Sequence, residues 1–186
     1  MLLDIKQYGD PVLRAVSKPV ETVDDSLREL AANMLETMYE ANGIGLAAPQ
    51  VGVNLRLVVI DTQEDEPEEG GEPETATVNG VVRPVADIMP LVFINPTLHP
   101  YGKQQLFTEG CLSVHDIRSN VSRLDHVKAT LPQLDGTVLE IDCGGLLARC
   151  LQHECDHLDG FLFTDRVSSA AKLTLKKKLQ RLAQWR

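Results

Sequence analysis

Two histidines four residues apart, with a carboxylate beside the first, stand in the run Gln152-His153-Glu154-Cys155-Asp156-His157. On a helix that spacing stacks His153 and His157 on one face. Two neutral imidazoles so placed can hold one divalent metal, and Glu154 is near enough to take a proton from an activated water. A surface helix with the same residues would be an ordinary polar stripe, so the pattern alone does not decide. The flanks favour a metal-bearing helix: Asp142 is placed as an N-cap, Gly144 and Gly145 loosen the entry, and Gly160 just past Leu158 is a stop. Leu146, Cys150, His153 and His157 follow helical spacing along one face, with Leu147, Leu151, Glu154 and Leu158 beside them. A metal there would adjoin apolar surface, which suits a pocket for an apolar side chain and suits core packing too.

A metal site needs a third ligand. Beyond His157 the remaining carboxylates are Asp159 and Asp165, and no histidine follows. Upstream, Glu109-Gly110-Cys111-Leu112-Ser113 holds a cysteine between small and polar residues. As a thiolate, Cys111 completes a Cys/His/His set with the fourth position open; as an isolated feature it reads rather as a buried free thiol. A third run, Gly43-Ile44-Gly45-Leu46-Ala47-Ala48-Pro49-Gln50, consists of small residues ending in an amide. Small side chains let an extended ligand approach the backbone, and Gln50 could donate to a polarised carbonyl. By itself Gly43-x-Gly45 is more often a helix C-cap with a turn.

Taken together and in this order, the three runs resemble the three-motif signature of the peptide deformylases: GxGxAAxQ, EGCLS and QHExDH. The resemblance runs over nearly the whole chain. It implies removal of the formyl group from formyl-Met nascent peptides, with Fe(II) held by Cys111, His153 and His157 and with Zn, Ni or Co as possible substitutes. Glu154 is then the general acid/base, and Gln50 and the Leu112 backbone N–H polarise the formyl oxygen. The resemblance further implies that substrate backbone pairs near Ile44, Gly45 and Gly110. The methionine side chain is expected in an apolar pocket near Ile44, Leu146, Cys150 and the His153 ring. Arg118 matches a basic residue that follows EGCLS in the family, a role that a structural ion pair would fill just as well. Two places depart from the pattern. His115 stands where the family usually has Pro, which loosens the loop behind Cys111, and the segment 63–89 is longer than in compact members. Two other classes stay in competition, a general HExxH metallopeptidase, which would need a Glu or His as third ligand, and a non-catalytic domain with a structural metal, which would need four protein ligands.

The elements that must position these groups can be sketched from periodicity. Leu27, Leu30, Ala31, Met34, Leu35 and Met38 repeat at helical spacing between Asp24 and Asn42, a helix that delivers the chain to Gly43. Leu55 to Ile60, Leu91 to Ile94, Val127 to Leu131 and Val138 to Ile141 read as strands between Asn, Pro, Asp and Gly turns. Glu64 to Glu74 is an acidic, apolar-free stretch within an expected loop insertion over 63–89. A basic helix over 168–186 sets Lys172, Lys176, Lys177, Lys178, Arg181 and Arg186 around Leu173, Leu175, Leu179 and Leu182. It reads as a solvated face over packed leucines, or as a salt-sensitive dock on the ribosome. The expected fold is α+β: small mixed or antiparallel sheets surrounding a central HExxH helix, with N- and C-terminal helices.

Composition sets outer bounds. A chain of 186 residues that is 43% hydrophobic is expected to form one catalytic domain and a monomer. Its 27 acidic against 18 basic residues, a formal charge of -9, argue against a DNA binder. No run spans a membrane and no signal peptide opens the chain, so the expected location is cytoplasmic. The four cysteines are then reduced thiols, and Cys155 is expected to pack on the core, away from the histidine face.

Overall fold

The computed structural model describes residues 1–62 and 73–184. Much of the acidic stretch expected as a loop, residues 63–72, lies outside the described residues, as do 185 and 186. Helix α1 (Asp25–Glu40) starts where Asp24 accepts a hydrogen bond from the Leu27 amide at 2.9 Å, and it buries Leu27, Ala31, Met34 and Met38, the stripe its sequence shows. It hands the chain to strand β1 (Gly45–Ala47) and a 3-10 turn at Ala48–Val51.

Strands β2 (Leu57–Ile60) and β5 (Leu91–Ile94) pair antiparallel with β1 into a three-stranded sheet in the order β1-β2-β5. A five-stranded antiparallel sheet, ordered β4-β3-β8-β7-β6, contains β3 (Thr75–Val78), β4 (Val81–Pro84), β6 (Thr97–Cys111), β7 (Val114–Pro132) and β8 (Val138–Cys143). Both sheets are thus antiparallel rather than mixed. Helix α2 (Gly145–Leu158) carries both histidines, and α3 (Phe163–Arg166) and α4 (Ser169–Gln184) end the described chain.

The period of two in β2 explains how the layers stack. Val58 and Ile60 join Phe93 and α2 residues Leu147 and Leu151 in one core, to which the large sheet adds Val127, Leu131 and Ile141. Leu57 and Val59 face the other way, with Leu46, onto Met34 and Met38 of α1. The metal-helix candidate is therefore clamped between two sheets, as expected. A third cluster holds Leu13, Val114, Val121, Phe163 and Leu175 together and ties the ends of the described chain to the hairpin. Among the described residues no helix is long and apolar enough to cross a membrane.

Several expectations change. Leu55–Ile60 narrows to Leu57–Ile60, and Val127–Leu131 is only the end of β7, whose long hairpin with β6 was not anticipated. Most of β6 is exposed, so its sequence lacks the alternation that burial of one face imposes. The expected loop over 63–89 is structured from Thr75 to Ile88, as the β3–β4 hairpin and a 3-10 turn. Its turn residues Asn79 and Gly80 have φ of 49° and 81°, the Asn-Gly hairpin signal flanked by Val78 and Val81. Asp142 does not cap α2. Strand β8 continues through it, its carboxylate accepts from the Tyr101 hydroxyl at 2.6 Å, and the Leu146 amide at the helix start donates instead to Glu74 at 2.9 Å. At the other end Gly160, at φ 77°, closes the helix as expected, with the Phe161 amide reaching the Asp156 carbonyl at 2.9 Å.

Candidate metal centre

Gln50 lies in the 3-10 turn after β1, where its Oε1 accepts from the Ala47 amide at 2.8 Å. A backbone N–H can only donate, so that bond orients the amide and sends Nε2 outward, to Cys111 Sγ at 3.4 Å and Ser113 Oγ at 3.3 Å. Cys111 ends β6 at the tip of the β6–β7 hairpin, which turns through Leu112 and Ser113. Its Sγ stands 3.3 Å from His157 Nε2, and one ligand atom from each of Cys111, His153 and His157 lies within 4.8 Å of the others. A tetrahedral site with bonds of about 2.3 Å to sulfur and about 2.1 Å to nitrogen puts those two atoms about 3.6 Å apart, so the cluster fits a cation with little movement. Among the described residues this is the one group so arranged, and no fourth side chain joins it. Three protein ligands make an open site rather than a closed structural one.

His153 is held from behind. Its Nδ1 is 3.0 Å from Glu109 Oε2, and because a carboxylate only accepts, Nδ1 carries a proton and Nε2 is the nitrogen left to a cation. Glu109 is clamped in turn by Arg123, at 2.7 and 3.0 Å, and by Arg149 at 2.7 Å, while Arg123 also reaches Asp156 at 2.9 Å and Asp156 pairs with Arg166. Burial by itself would raise the Glu109 carboxyl, but the bonds to His153 and Arg123 bring it down to about 2. Burial would lower His153, yet bonds to Cys111 and Glu109 lift it to about 10; His157, where burial and the neighbouring His153 outweigh the pull of Glu109, falls well below its ordinary value. The lone pairs that these protons contest are the ones a cation would take.

Glu154 is 4% exposed, and burial pushes its carboxyl up to about 7 against the pull of His153 and Arg123. Its Oε2 finds no hydrogen-bond partner among the described residues. Gly45 is the reason it fits: a Cβ there would stand 2.5 Å from Glu154 Oε1. A carboxyl poised near neutrality beside three groups able to ligate a metal suits proton transfer to and from a reacting water.

A cavity of about 580 Å³ opens over these groups. Ile44, Gly45, Gly110, Leu112, Leu146 and Cys150 all line it, so the expected substrate-contact residues converge, with Ile44 and Leu146 part-exposed at its mouth. Strands β1 and β6 each end their sheet, and both border the cavity. Arg118 is exposed on this rim with its stem beside Gly110, while His115, 74% exposed, pairs with Asp116 rather than with the ligand cluster. Cys155 packs against the α2 core as expected.

The fold is shared with known proteins along nearly the whole chain. Residues 2–173 match the family described as polypeptide deformylase. The chain belongs to the polypeptide deformylase family. A peptide deformylase of Zymomonas mobilis is 49% identical over 179 residues, covering 96% of this chain and 93% of that one. The crystal structure of a peptide deformylase from Legionella pneumophila superposes with a TM-score of 0.80 at 37% identity, covering 99% of this chain and 96% of that one. A Met-Ala-Ser-bound peptide deformylase structure from Acinetobacter baumannii gives 0.75 at 32% identity, over 90% of this chain and 99% of that one. The chain is accordingly a hydrolase that removes the N-terminal formyl group from formyl-Met nascent peptides, in a metal-dependent family. The general metallopeptidase and structural-metal readings give way to it.

Sequence reasoning did not single out Glu109, Arg123, Arg149 or Asp156 as a network around the site. Glu109 and Asp156 stand inside the motifs already quoted, which was a usable signal. Arg123 and Arg149 gave none, since an arginine on a strand or a helix usually reads as solvated.

Proposed function

We propose that Cys111, His153 and His157 hold one divalent cation, Fe(II) in the native enzyme, and that Glu154, Gln50 and the Leu112 N–H carry out deformylation around it. The convergence of the three ligand atoms within 4.8 Å, beside the buried and part-unpartnered Glu154 carboxylate, carries this reading. When bound, the cation supplies Lewis acidity that makes water nucleophilic near neutral pH and polarises the formyl carbonyl. A thiolate donor lessens that acidity relative to three imidazoles, which places more of the proton transfer on Glu154. Glu154 takes a proton from the attacking water as the new C–O bond forms. Gln50 Nε2 and the Leu112 amide donate to the formyl oxygen as it gains charge. The C–N bond then breaks, Glu154 returns its proton to the departing amine, and formate and a free N-terminal amine result.

The substrate lies extended between the edges of β1 and β6, pairing with backbone at Ile44, Gly45 and Gly110. Its methionine side chain enters the apolar side of the cavity at Ile44, Leu146 and Cys150. Met-Ala-Ser, the peptide named for the Acinetobacter structure, has the form of such a product. The chain works as one catalytic domain and as a monomer in the cytoplasm, since a single copy supplies every group required. The exposed lysines of α4 dock it near ribosomal RNA.

The direct test is anaerobic hydrolysis of formyl-Met-Ala-Ser with metal analysis. One metal per chain, activity lost in air by the iron form and retained longer by the nickel form is the expected result. Equal air stability of the two forms would remove the iron assignment, and hydrolysis of internal peptide bonds would remove the substrate assignment.

A further inference from the structure

Three consecutive residues near the amino terminus bond to the two segments that carry the proposed oxyanion donors. The Lys6 amide donates to the Gln50 carbonyl at 2.7 Å, and the Tyr8 amide donates to the Ser113 carbonyl at 2.7 Å. Between them Gln7 Nε2 donates to the Leu112 carbonyl at 3.0 Å and, more weakly, to its own neighbour Ile5 at 3.3 Å. Gln50 follows the edge strand of the small sheet, whereas Leu112 and Ser113 form the hairpin tip of the large one. The direct hydrogen bonds from Gln50 to the hairpin leave its Nε2, one to Cys111 Sγ at 3.4 Å and one, long at 3.3 Å, to Ser113 Oγ.

The hairpin tip is where the ladder determines the backbone least. Strand pairing shifts register between Glu109 and Cys111, and Leu112 and Ser113 lie between the last paired residues, Cys111 and Val114. An oxyanion donor acts only when aimed at the developing charge from about 2.7–3.1 Å, so a small tilt of this turn weakens it. The strap closes that freedom: Tyr8 holds Ser113, Gln7 holds Leu112 and Lys6 holds Gln50, all from one short run of backbone.

We infer that Lys6–Tyr8 is a strap that sets both oxyanion donors in register, and that Gln7 is a positioning residue for deformylation, acting through Leu112. The inference rests on the assignment of Gln50 and Leu112 as those donors. Neither Gln7 nor its neighbours line the cavity, so substrate binding does not depend on them by contact.

The test uses the full-length, metal-loaded enzyme with Gln7→Met, which keeps the length and removes the donor, and Gln7→Glu, which puts an acceptor against the Leu112 carbonyl. Turnover, KM, metal per chain and melting temperature are measured beside Gln50→Ala. Both Gln7 variants should lose about tenfold in kcat, equivalent to about 1.4 kcal/mol of barrier, with KM within about twofold and metal content unchanged. Turnover within twofold of wild type in both would overturn the inference. So would a fall that tracks lost metal, or a KM effect without a kcat effect. Failure of Gln7→Met to fold would also overturn it, by making the strap a structural tie. If Gln50→Ala turns over normally, the donor assignment itself fails, which separates that failure from one of the strap alone.

Discussion

Helices α2 and α4 look alike in sequence, each an amphipathic stretch with ionisable residues set among leucines, yet they bury opposite groups. In α2 the ionisable side chains His153, Glu154 and His157 are inside, alongside Leu147 and Leu151. Of the described α4 residues only Leu175 is buried; Leu179 and Leu182 are partly so, Leu173 is 76% exposed, and every lysine is exposed. What differs is what the rest of the chain places opposite. Around α2, β6 and β7 bring Cys111, Glu109 and Arg123 to meet its polar groups, while α4 rests on one side against the third hydrophobic cluster. Burial of charge follows partners delivered from far away in sequence, and the helical pattern does not reveal which helix will receive them.

The sharpest break in the comparison is Cys111→Ala, which removes the group brought to α2 from the hairpin. It should abolish tight metal binding and deformylation while leaving the chain folded, read by metal analysis and circular dichroism. Stoichiometric metal with near-normal turnover would show that α2 needs no partner from β6. Next is Glu154→Gln, which keeps size and removes the base. Metal should stay bound and kcat should fall by roughly two or more orders of magnitude.

Glu109→Gln probes the support rather than the ligands. It leaves Arg123 and part of His153 without their buried counter-charge, so a loss of about 3–5 kcal/mol in stability and of about 10–100-fold in metal affinity is expected. The sign with pH is definite: Glu109 falls from an ordinary 4.5 to about 2 in the folded state. Its contribution is therefore full above about 4.5 and is lost as pH falls towards 2. Acid titration of the variant by fluorescence or circular dichroism should lack that component; identical acid curves for variant and wild type would remove Glu109 as its source.

On α4 the effects should be smaller. Leu175→Ala is expected to cost about 2 kcal/mol or more, and Leu173→Ala less than about 0.5, in denaturant unfolding. Similar losses at both positions would mean that α4 is covered on more than one side. Replacing Lys176, Lys177 and Lys178 with Glu should weaken co-sedimentation with ribosomes at low salt and leave hydrolysis of a formyl-Met tripeptide nearly intact. Unchanged co-sedimentation would leave these lysines as solvating groups only.

The sequence by itself determined the elements with one clear periodicity and the motif residues that converge. Helix α1, with Leu27, Ala31, Met34 and Met38 three or four apart, was legible, as was Leu91–Ile94, because burial on a defined face writes a period into local sequence. The local spacing of His153 and His157 likewise announced a shared helical face. Strand β6 was not legible, since most of it is exposed, whereas the Asn79-Gly80 turn between Val78 and Val81 is a local hairpin signal.

Only the tertiary structure decided the rest. Asp142 has the chemistry of an N-cap, but strand pairing claimed it and Glu74 took its place at α2. Arg123 and Arg149 became buried partners of Glu109 rather than solvated charges, and Gln7 was drawn to Leu112 across 105 positions of sequence. Each of these outcomes is a choice among partners that local sequence leaves equally open. Desolvation inside the fold resolves it, because a buried polar group must find a counter-group and only the packed chain determines which one is within reach.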